Sequence, residues 1–86
     1  MGKQEIGWTV QLEDGVKQER LAHRAGRRWR FMERNGRYDP WREIAEPSRE
    51  DWDKLLDLIR RRYQRKGFSD VDVRDVEREI EERFPD

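Results

Sequence analysis

The sequence predicts an α+β fold, a three- to four-stranded antiparallel meander followed by two C-terminal helices (ββββαα) packed on one sheet face. Three features carry that expectation. Residues 6–12 alternate apolar and polar, the pairs Asp14-Gly15 and Asn35-Gly36 read as hairpin turns, and residues 47–67 spell an amphipathic helix with a start and a stop. The expected organisation is one small domain over 1–86, with 1–5 disordered, the meander over 6–46, a main helix over 48–66 and a second helix over 70–84.

Ile6, Trp8, Val10 and Leu12 fall on one side of the first strand, Gly7, Thr9 and Gln11 on the other, as in a strand with one buried face. Asp14-Gly15 is a favoured type I′ pair and predicts a hairpin into a second strand from about Val16 to Ala25. The composition of that stretch also suits a helix stopped by Gly26, and the hairpin signal decides for strand. In a third strand over 29–33, Trp29 and Phe31 lie on one face and Arg28, Arg30 and Met32 on the other. Asn35-Gly36 predicts a second two-residue turn, after which Arg37 and Tyr38 begin a return strand. Asp39-Pro40 interrupts it and Trp41 to Ala45 continues it, so this is read as an edge strand.

Ser48 and Asp51 have capping-box spacing at the start of the main helix. Trp52, Leu55, Leu56, Ile59 and Tyr63 form its apolar stripe, with Leu56 and Ile59 expected fully buried. Acids crowd its first turns and arginines its last, which suits the helix dipole, and Gly67 supplies the stop. Phe68 stands where it can contact Tyr63, Ser69 caps the second helix with Asp72 at the box position, and Val73, Val76, Ile80 and Phe84 form the second stripe. So short a connection implies an antiparallel helical pair.

The composition narrows the function classes. Charged residues are 47% and hydrophobic residues 33%, against about 25% and 45–50% in ordinary domains. Disordered chains share that balance, but the 20 bases equal the 20 acids and four tryptophans are present, which points to an ordered domain with a thin core. Zero net charge gives no general attraction to nucleic acid or to an acidic membrane. Without cysteine there is no disulfide, thiolate metal site or thiol nucleophile. No signal-like or membrane-spanning apolar run occurs, so the expected localisation is cytoplasmic, with no membrane partner.

An enzyme is not expected, and neither a catalytic, cofactor nor metal site is assigned. His23 is the only histidine, which leaves no material for a histidine cluster or a histidine-based triad. Acid pairs such as Asp53 with Asp57 and Asp70 with Asp72 stand at helix starts, where they compensate the dipole. Asp70, Asp72 and Asp75 lack the glycine and final glutamate of a calcium loop.

Binding is the remaining class. Residues 15–42 carry nine bases against three acids, and residues 69–86 carry eight acids against three bases. Trp and Arg are the residue types most enriched at binding hot spots. The candidate binding surface is Arg28, Arg30, Arg37, Tyr38, Trp41, Arg61 and Arg65. The expected function is a small non-catalytic module for a protein partner or for a second copy of itself. The alternative is RNA or single-stranded nucleic acid, held by an Arg/Trp-rich hairpin. In the competing structural reading Trp29 and Phe31 point into the core and the arginines form a solvated outer face. The proline-broken edge near Tyr38 to Trp41 is either a docking edge or a guard against strand pairing.

Overall fold

A computed structural model describes residues 5–26, 28–62 and 70–85, and the chain divides into two compact units, Met1–Glu46 and Pro47–Asp86. The element order is the expected ββββαα: β1 (Glu5–Gln11), β2 (Lys17–Ala25), β3 (Arg28–Arg34), β4 (Arg42–Glu43), α1 (Arg49–Arg62) and α2 (Asp70–Arg83). Glu5, assigned from sequence to a disordered leader, opens β1. Among the described residues no helix is long and apolar enough to cross a membrane.

The first unit is one antiparallel sheet in the order β1-β2-β3-β4. Register decides its faces. Ile6 pairs with Ala22 and Ala22 with Phe31, so a small residue sits between two large ones, and all three are buried, Ala22 at 0% exposure. Trp8 lies on this same face and meets Phe31 edge-on, with ring centroids 6.2 Å apart. Trp29 and Phe31 are buried here, while Arg28 and Arg30 are exposed on the opposite face. On β2 the buried row is Gln18 and Ala22, with Arg20 and Arg24 half-buried between and beyond them. A buried amide must be satisfied. Gln18 is: Arg20 donates to its Oε1 at 2.8 Å, and its Nε2 donates to Asn35 Oδ1 at 2.9 Å.

Both expected two-residue turns are replaced. A type I′ turn needs two successive residues with positive φ. At the first hairpin only Gly15 has it, at φ 86, and Asp14 does not. Gly15 N–H donates to Leu12 O and Leu12 N–H to Val16 O, which defines a three-residue loop ending in a left-handed glycine. At Asn35-Gly36 neither residue has positive φ, and the chain continues to a turn closed by Asp39 N–H on Gly36 O at 3.1 Å. The return strand shrinks accordingly. Arg37 and Tyr38 lie in the turn, and β4 is only Arg42–Glu43, extended by Ile44 N–H donating to Phe31 O.

In the second unit the capping box forms as expected. Ser48 N–H donates to Asp51 Oδ2 and Asp51 N–H to Ser48 Oγ, each at 3.2 Å. The buried arc of α1 is Asp51, Trp52, Leu55, Leu58 and Ile59, with Leu56 only half-buried. This corrects the expected stripe. Residues 51, 55 and 58 follow helical spacing on the flank of Trp52 away from Leu56, so the inner face is rotated toward the capping side. On α2, Asp72, Val76 and Ile80 are buried, while Val73 and Phe84 are intermediate. The helices are antiparallel: the Arg83 guanidinium near the end of α2 lies 5.0 Å from the Trp52 ring near the start of α1, and Arg60 pairs with Glu77. The expected roles of Tyr63, Gly67, Phe68 and Ser69 fall outside the described residues.

Candidate functional site

The most prominent feature of the sheet unit is the segment from Arg34 to Arg42. Asp39 ties it together. Its Oδ2 accepts the Asn35 backbone N–H at 3.0 Å and an Arg42 guanidinium N–H at 2.9 Å, while its own N–H closes the turn on Gly36. The Asn35 backbone N–H and the Arg42 guanidinium hold the Asp39 carboxyl below the usual aspartate range, because both contacts favour the charged form. Gln18 fixes the Asn35 side chain from β2. Arg37 and Tyr38 are thereby presented at the tip, and Tyr38 is 93% exposed.

Behind the tip, the Arg34 guanidinium carbon lies 4.4 Å from the centroid of the Trp41 ring. That distance is within cation–π range. The same guanidinium reaches Glu19 Oε1 at 2.9 Å, its direct cross-strand neighbour. Trp41 and Gly36 then border a shallow concavity of about 500 Å³ whose walls include Gly7, Thr9, Lys17 and Leu21. Its lining mixes apolar surface with the charged residues Lys17, Glu19 and Arg20. His23 lies outside it, on the same face of β2 between Glu5 and Arg30.

The structure joins only part of the residue set read from sequence. Arg37, Tyr38 and Trp41 share one segment. Arg28 and Arg30 alternate on the same sheet face, but Arg28 stands at the start of β3 and the turn follows its end. Arg30 approaches Glu43 at 3.8 Å, and both side chains are exposed. Arg61, in the helical unit, is paired with Asp57 at 3.4 Å. Arg65 lies outside the described residues. Among the described residues Arg28 and Arg37 have no ion pair, whereas Arg20, Arg30, Arg34 and Arg42 each have one. Arg34 was missed by sequence reasoning, since its position seven residues before Trp41 carries no local signal of contact.

No group of three or more histidine, aspartate or glutamate side chains that could hold a metal ion occurs among the described residues. No protein-family model matches the chain, and no curated protein or solved structure matches it.

Proposed function

We propose that this chain is a non-catalytic protein-binding module whose principal contact is the Arg37-Tyr38 tip, directed at an acidic surface on another protein. One observation carries the reading: a tyrosine that is 93% exposed stands on a turn pinned by three hydrogen bonds through a single aspartate. A solvent-exposed aromatic is worth little to the fold. Held on a preorganised turn it contributes large contact area at low cost in conformational entropy. Arg37 beside it has no ion pair among the described residues and supplies an uncommitted positive charge.

The nucleic-acid reading has less support. Base stacking requires aromatics on the basic face. Trp29 and Phe31 are buried on the face opposite Arg28 and Arg30, the Trp41 ring is already stacked by the Arg34 guanidinium, and Arg30 and Arg34 are already opposed by carboxylates.

Capture from source-cell extract tests the choice, comparing the native chain with an Arg37→Ala/Tyr38→Ala variant, each with and without nuclease. The expected result is a protein retained by the native chain, insensitive to nuclease and lost with the variant. Retention by the variant, or loss on nuclease treatment, overturns the proposal.

A further inference from the structure

The two edges of the sheet are built differently. The β4 edge is two residues long, preceded by Pro40 and made of charged Arg42 and Glu43, which is how natural sheets blunt an edge. The β1 edge has no such device. It is a regular seven-residue strand without proline, and Glu5 is its one ionisable side chain. Its outward backbone groups follow from the ladder. Leu12 N–H donates to Val16 O, so in an antiparallel pair the even positions 6, 8 and 10 turn their N–H and C=O toward β2. The odd positions, Glu5, Gly7, Thr9 and Gln11, therefore turn theirs outward, and all four residues are exposed. Among the described residues no further backbone hydrogen bond reaches them.

We infer that β1 is a self-association edge, pairing antiparallel with β1 of a second copy about a twofold axis through Trp8. This surface is distinct from the Arg37-Tyr38 tip. The sequence of the strand argues for a second copy over a foreign peptide, because the strand complements itself. Trp8 is the midpoint of Glu5–Gln11, so this register pairs all seven positions. Gly7 then forms a hydrogen-bonded pair with Thr9 of the second copy, and Glu5 with Gln11. The single carboxylate thus meets an amide, not its own image. Lys17, already paired with Gln11, falls in the same row on the same face, two strand spacings or about 10 Å from that carboxylate. A Thr9-centred register would instead set Glu5 against Glu13. On the other face the Trp8-centred pairing places Ile6 beside Val10 and Trp8 beside Trp8. It covers Trp8 and Val10, which the single chain leaves half-exposed, and makes one apolar row across both copies.

Sedimentation equilibrium from roughly 5 µM to 500 µM reads the association directly. The native chain is expected to rise from one chain mass to two. Thr9→Pro removes an outward donor and leaves the β2 ladder intact, and it should stay monomeric with an unchanged circular dichroism spectrum. Thr9→Lys is the second variant, should proline disturb folding, and is expected to weaken association about tenfold or more. Tyr38→Ala should leave association unchanged, which separates this edge from the turn. Because the chain has no cysteine, Gly7→Cys and Thr9→Cys chains can also be mixed and oxidised. The expected product is the mixed disulfide in excess over both homodisulfides. A native chain monomeric throughout, an association unchanged by Thr9→Lys, or a merely statistical disulfide mixture overturns the proposal.

Discussion

Asp39 shows how a single carboxylate can set the shape of a surface. Its contacts with the Asn35 N–H and the Arg42 guanidinium favour the ionised form, so its folded pKa lies below its unfolded one. The sign for stability follows. The contribution is present above the unfolded value of about 3.9 and is lost as pH falls through the lower, folded value. The Asn35 amide resonance should therefore titrate with a midpoint below about 3.9, and Asp39→Asn should abolish that titration. A midpoint at or above the ordinary value, or one indifferent to the substitution, contradicts the role given to Asp39. The sequence displayed Asn35-Gly36, whose local preference is a type I′ turn. What prevailed was non-local: Gln18, seventeen positions away, holds the Asn35 side chain, and Asp39 takes its N–H. A hint was present, since an aspartate followed by proline two residues past Arg37 favours turn formation.

Among the elements, the hairpins separate what local sequence can specify from what it cannot. The two glycines of these turns make opposite predictions. Gly15 has φ +86, where a side chain is strained, so Gly15→Ala should cost roughly 1–2 kcal/mol. Gly36 lacks a positive φ, and a methyl group added there would meet nothing within 4 Å, so Gly36→Ala should be neutral or stabilise by about 0.4–1 kcal/mol. Chemical denaturation of the two variants checks this, and a loss at Gly36 as large as at Gly15 would restore the type I′ reading. The alternation of β1 and β3 and the Ser48–Asp51 capping box were legible because each is a pattern within a few residues. The inner face of β2 was not. Its two rows, Gln18-Arg20-Ala22-Arg24 and Lys17-Glu19-Leu21-His23, are similarly polar, and only pairing with Ile6 and Phe31 selects the row containing Ala22. Leu56 was misplaced for a related reason. Periodicity locates a stripe on α1, but whether Leu56 or Leu58 completes it depends on what the helix packs against.

For the whole molecule the question is whether so highly charged a chain is held by its charges. Charged residues make up 47% of it, and the ion pairs among the described residues include Arg34–Glu19 at 2.9 Å and several near 3.9 Å. Most join side chains that are about a third or more exposed, such as Arg61 with Asp57 and Arg49 with Asp53. Exposed pairs of this kind contribute about 0–1 kcal/mol each, much of it screened by salt. The apolar side chains are different: Ile6, Phe31, Trp52, Leu55, Ile59 and Val76 are almost wholly buried. Each such residue contributes about 1.5–3 kcal/mol, independent of ionic strength to first order. The charges thus keep the surface solvated while a few large side chains hold the fold. Raising NaCl from about 0.1 M to about 1 M shortens the screening length from about 10 Å to about 3 Å and should weaken every exposed pair. Attractive and repulsive contacts are both screened in a chain of zero net charge, so Tm should move by no more than about 4–8 °C, the equivalent of about 1 kcal/mol. A fall beyond that in a thermal melt would place the stability in the ion pairs, and the buried residues would no longer suffice to explain the fold.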